Sequence, residues 1–175
     1  MTDARGLFEA FGFEKLENGL WRFARDFSDH PESTGGYDGR AVVIVEERSG
    51  AFIGHVPFVA HSDMDLAEVP PQSLFFSSSD PRDMVALAQN EAANAYCRAT
   101  GLFPDDGFSD DDDNMFITFP FMSDPWSDYA VSSRAKKDDA HVELVSPAEA
   151  YRGYVSWRDE FCEKVLAAGP SAITP

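Results

Sequence analysis

At 175 residues with 43% apolar content, including 15 Phe, 5 Tyr and 3 Trp, the chain carries enough apolar surface to offset its conformational entropy. This excludes an intrinsically disordered protein and suits one domain over residues 1–175. A formal charge of −17, from 31 acidic against 14 basic residues, repels phosphate backbones and argues against direct nucleic-acid binding.

Residues 3–11 place Leu7, Phe8 and Phe11 at helical spacing, with Thr2 or Asp3 as N-cap and Gly12 as stop. A hairpin follows, in which residues 13–16 and 20–27 flank Glu17-Asn18-Gly19, a turn whose Asn-Gly pair tolerates positive φ. Trp21, Phe23 and Phe27 share one face of its second strand with Arg25 among them, so that face is packed near its middle and open at one end. Residues 28–39 are rich in turn formers and read as a loop. Gly35-Gly36 within it is not a phosphate loop, since the Lys and Ser/Thr of that motif are missing and a strand follows where a helix is required.

The centre of the chain is a second hairpin over residues 39–60, turning at Arg48-Ser49-Gly50. Ala41 to Val45 is apolar on both faces, as expected of a strand covered on two sides or central in a sheet. Pro57 cannot donate to a ladder, which predicts an edge strand at that end. A loop over 61–72 precedes Leu74-Phe75-Phe76, a candidate fifth strand.

Asp80-Pro81-Arg82-Asp83 opens a helix by three agreeing signals, a capping Asp, Pro at the first helical position and a carboxylate facing the helix dipole. Met84, Leu87, Ala88, Ala92, Ala95 and Ala99 form its apolar stripe, and Gly101 closes it. Residues 103–114 hold six Asp and no base, and so many unpaired carboxylates require an exposed acidic loop. Residues 115–119 are strand-like up to Pro120, residues 122–140 read as a long polar loop, and 141–145 as a last strand. Ser146-Pro147-Ala148-Glu149 is a capping box for a helix to about Ala168, with Tyr151, Tyr154, Val155, Phe161, Cys162 and Val165 on its buried side and Gly169 beyond. The expected fold is α+β, a mainly antiparallel sheet of four to six strands, beginning as a meander, with one face packed by two longer helices, plus a short N-terminal helix.

No apolar run reaches the ~20 residues of a membrane helix, so neither a membrane partner nor a membrane span is expected. The start of the chain lacks a secretory pattern, and Cys97 and Cys162 each fall in a predicted helix as small buried hydrophobes, which together favour a reducing, cytoplasmic setting. No nucleophile elbow, cysteine active-site signature or paired-cysteine motif is present, so no catalytic residue and no cofactor is assigned.

Two functional readings remain. In one, His55, His61, Asp63 and Asp65, beside the run Asp110 to Asp113, form a metal site; imidazole with carboxylate suits Zn, Mn or Fe, yet the spacing matches no ligand pattern and the acidic run lacks the Gly and Glu of an EF-hand. In the other, the chain is a non-enzymatic inhibitor or binding protein that engages a basic nucleic-acid-binding protein by presenting negative charge in place of nucleic acid. Residues 103–130 contain eight Asp and no Lys or Arg. Asp105, Asp106, Asp110, Asp111, Asp112 and Asp113 would supply the field, and Phe108, Trp126 and Tyr129 the apolar anchors. In being small, acidic and free of motifs, the chain is similar to phage-encoded anti-defence proteins of the anti-CRISPR and antirestriction kinds and to nuclease-immunity proteins. That likeness is one of composition.

Overall fold

A computed structural model of the chain describes residues 3–29, 31, 33, 39–57, 66–100, 130–131, 143–144 and 147–169. In order they form α1 (Ala4–Phe11), β1 (Glu14–Lys15), β2 (Trp21–Asp26), β3 (Arg40–Arg48), β4 (Ala51–Pro57), β5 (Ser73–Ser78), α2 (Pro81–Thr100), β6 (Ala130–Val131), β7 (Glu143–Leu144) and α3 (Pro147–Ala168). Strands β1 to β5 make one antiparallel sheet in chain order, and β6 pairs with β7. The fold is α+β, as the sequence pattern predicts.

Turn chemistry sets the meander. Gly19 takes φ +87°, Asn18 Oδ1 accepts the Leu20 N–H at 3.1 Å, and Leu16 N–H donates to the Leu20 carbonyl at 2.8 Å, closing the first hairpin. In the second, Ser49 and Gly50 both take positive φ (53° and 81°), the primed turn whose twist matches the flanking strands. Its ladder begins immediately with Arg48 opposite Ala51 and runs to Ile44 opposite His55.

Register then sorts the side chains onto two faces. Ala41, Val43 and Val45 of β3 face the helices, where Trp21, Phe23, Phe52 and Val56 join them. Helix α2 lies chiefly across β3, and its Met84, Leu87, Ala88, Ala92 and Ala95 are buried in the same core. Gly54 makes this approach possible: a Cβ there would stand 2.5 Å from Leu87 Cδ2 and 3.0 Å from Met84 Sδ. Helix α1 completes the layer by burying Leu7, Phe8 and Phe11, each worth roughly 1.5–3 kcal/mol on leaving water. The Phe8 ring meets Trp21 and Phe52 edge-on at 5.3 and 5.6 Å. Gly12, at φ 105°, ends α1 by donating to the Phe8 and Glu9 carbonyls, as the predicted stop requires. Val42 and Ile44, on the opposite face of β3, are equally inaccessible to water, so this strand is both central and covered on two sides.

One expectation holds at one end of a strand, and another is corrected. Strand β4 lies inside the sheet over most of its length, with β3 on one side and β5 on the other, but at the Pro57 end only β5 pairs with it, as the proline predicts. Pro57 is tolerated because pairing with β3 has already stopped at His55, which leaves the proline one strand neighbour at that end. On α3, Tyr154, Phe161, Cys162 and Val165 are buried as expected, but Tyr151 is exposed. Tyr151 stands in the turn before Tyr154, with its ring 6.4 Å from the Tyr154 ring; among the described residues the buried stripe starts at Tyr154 and includes a charged residue, Arg158.

Candidate functional site

The residues expected to meet a partner, Asp105, Asp106, Phe108, Asp110 to Asp113, Trp126 and Tyr129, lie outside the described residues, as do the strand-like stretch 115–119 and the candidate ligands His61, Asp63 and Asp65. Within the stretch read as a polar loop, Ala130–Val131 instead pairs antiparallel with Glu143–Leu144, the latter inside the predicted last strand. Cys97 lies on α2, with its side chain outside the description. Of the metal candidates His55 alone is described. Its Nδ1 is 3.4 Å from Ser73 Oγ, and its Nε2 lies 3.8 Å from Glu46 Oε2, beyond hydrogen-bond reach. Nε2 is buried with no hydrogen-bond partner among the described residues. Burial holds the imidazole below its ordinary range, and the nearby Glu46 carboxylate only partly offsets this. Among the described residues, no group of three or more His, Cys, Asp or Glu side chains is placed to hold a metal ion.

The densest polar arrangement lies where the start of α2 meets α3, and the sequence reading missed it. Asp83 Oδ1 accepts the Tyr154 hydroxyl at 2.6 Å and Arg158 Nη1 at 2.8 Å, while Oδ2 accepts Ser78 Oγ at 2.5 Å. Arg158 also reaches Asp159 at 2.8 Å and Asp80 at 3.3 Å, and Arg82 spans Asp80 at 2.6 Å and Asp159 at 3.0 Å. Asp80 caps α2 as predicted, its Oδ1 accepting the Arg82 N–H at 3.0 Å. Burial alone would lower the Arg158 guanidinium; its hydrogen bonds to Asp83 and Asp159 overturn that and raise it. Burial, then the Asp83 charge, pushes the Tyr154 hydroxyl up, and burial lifts the Cys162 thiol to about 12, so both stay protonated. Both Asp83 oxygens are engaged by protein donors, which makes the cluster a clamp between helices. The signal that identifies it in the sequence is a single Arg inside an apolar helical stripe.

Two features of the described surface bear on recognition. First, six arginines are engaged in ion pairs: Arg5 with Glu9, Arg22 with Glu14, Arg40 with Asp26, Arg48 with Glu46, and Arg82 and Arg158 in the clamp. Pairs of this kind at a surface add little stability. Such pairs engage carboxylates as well as guanidinium groups, so the acidic excess of the chain is unchanged by them. Second, β5 ends the sheet and displays apolar side chains, with Phe75 74% and Leu74 48% exposed. Phe76, on the face opposite Phe75, packs against the core. Compared with known protein families, curated proteins and solved structures, the chain matches none.

Proposed function

We propose that this chain is a non-enzymatic acidic binding protein, acting in a reducing, cytoplasmic setting, that engages a basic nucleic-acid-binding protein by competing electrostatically for its Lys/Arg groove, as an anti-defence or nuclease-immunity protein does. The observation that carries this reading is the unbalanced charge. Eight Asp fall in residues 103–130 without one Lys or Arg, and over the whole chain acidic residues outnumber basic ones 31 to 14. A field of this kind speeds encounter with a cationic surface, and apolar anchors then fix the register. Asp105, Asp106 and Asp110 to Asp113 supply the field in this proposal, with Phe108, Trp126 and Tyr129 as anchors.

The test is a kinetic one on proteins captured by the immobilised chain at low salt and eluted by a salt gradient. The expected partner is a basic nucleic-acid-binding protein that added duplex DNA displaces. Replacing Asp110 to Asp113 by Asn slows association about tenfold and flattens its salt dependence, with folding unchanged by circular dichroism. An association rate indifferent to these four carboxylates overturns the reading.

A further inference from the structure

Natural sheets blunt their edge strands with Lys, Pro, a bulge or a covering element, because a bare edge offers a template for another strand. Strand β5 carries none of the first three. Ser73-Leu-Phe-Phe-Ser-Ser78 has no charge and no proline, and it pairs with β4 through six consecutive partners without a bulge. Among the described residues it has a strand neighbour on one side only. Arg22, Ile44, His55 and Phe75 stand in one cross-strand row, and Phe75 ends that row in solvent. A ladder of main-chain donors and acceptors with an exposed aromatic at its middle is the arrangement used when an extended peptide adds to a sheet, hydrogen bonds giving affinity and alternate side chains giving choice.

Charge decides the occupant. A second copy would bring another −17 to the same edge, whereas a cationic segment is attracted by the acidic surplus of this chain. We infer that β5 is the docking edge for an extended, Lys/Arg-bearing segment of a protein partner, which joins the sheet as a sixth strand with an apolar side chain against Phe75. This rests on the acidic-binder reading and adds to it the place where the partner is gripped.

The test uses the full chain and three capped nine-residue peptides: one alternating Val and Lys, its Val/Glu twin, and the Lys peptide interrupted by two prolines. At 50 mM salt the Val/Lys peptide is expected to bind at least tenfold tighter than either control and to slow hydrogen exchange at the amides of Ser73–Ser78. Phe75→Lys, a change at an exposed position, is expected to weaken binding about tenfold, and Ser77→Lys is a second variant should the first disturb the fold. Equal binding of the Glu twin, protection confined to other segments, or no binding overturns the inference. So does concentration-dependent dimerisation that Phe75→Lys abolishes, which assigns the edge to a second copy. If the captured basic protein binds the Phe75→Lys chain unchanged, the edge inference fails while the acidic-binder reading stands. If the Val/Lys peptide docks at Ser73–Ser78 but Asn at Asp110 to Asp113 leaves association with the captured protein unaltered, the edge stands and that reading fails.

Discussion

Strands β3 and β5 are both uncharged at their centres, Ala41-Val-Val-Ile-Val45 in one and Leu74-Phe-Phe76 in the other, and one strand separates them in the sheet. In β3 every one of those side chains is withdrawn from water, on both faces; in β5 only Phe76 is packed against the core, and its neighbours Leu74 and Phe75 stand in solvent. Local sequence makes both of them strands, since apolar and β-branched runs favour the pleat. What separates them is lateral position. A central strand is flanked on two edges, while at an end strand covering depends on what lies beyond it. Apolar character at β3 therefore serves stability, and at β5 it is left for recognition.

That contrast can be tested along the row that joins Ile44 to Phe75 and in the packing around it. Ile44→Ala, which empties a fully buried site, is expected to cost about 3 kcal/mol in denaturant unfolding, as large-to-small core changes do. Asp83→Ala should cost a comparable amount, about 3 kcal/mol, by leaving Arg158 and Tyr154 buried without their shared acceptor; a loss below about 1 kcal/mol would mean that the helix clamp is not holding α3 in place. Gly54→Ala comes next, at about 1–2 kcal/mol, because the added methyl must displace Leu87 and Met84 in packed surroundings; a neutral thermal midpoint would show that α2 has room to shift.

A smaller, pH-dependent effect belongs to His55, between the two extremes of the row. Burial lowers its folded value, so the unfolded chain takes up the proton first as pH drops. Stability contributed by neutral His55 is complete above the ordinary imidazole value of about 6.5, is lost as pH falls through it, and stops declining below the folded value. Measured by unfolding across pH 4.5–8, the stability of the parent relative to His55→Phe should therefore fall toward the acid side of this interval, and a pH-independent difference would remove the argument. Phe75→Ala, at the far end of the row, is expected to change stability by less than about 0.5 kcal/mol while weakening strand docking.

How far the sequence could be read differs between local and distant effects. The α1 stop at Gly12, the turns at Gly19 and Gly50, the capping Asp80 and the buried stripe of α2 were all legible, because each follows from backbone freedom or a period within a few residues. Pro57 marks the end of β4 where one strand neighbour remains, but a missing donor speaks only for its own residue and not for the rest of the strand, which lies inside the sheet. Tyr151 misleads because helical periodicity gives the direction of a stripe but not the turn at which its neighbour begins. Arg158 was passed over because a charge on a buried stripe is acceptable only if distant acceptors, here Asp83 and Asp80, are brought to it. The residues expected to meet a partner lie beyond what the structure describes, so the functional reading still stands on their charge.

The chain's own composition determined that it would fold without a disordered majority, that its strands would run as a meander, and that its net charge would be strongly negative, since these depend on apolar content, turn residues and counting of ionised groups. Only the tertiary structure decided which arginines are neutralised, that Asp83 joins two helices and a strand, and that Phe75 rather than Ile44 meets water. The physical reason is that burial and ion pairing depend on distances between residues far apart in the chain, and packing alone sets those distances.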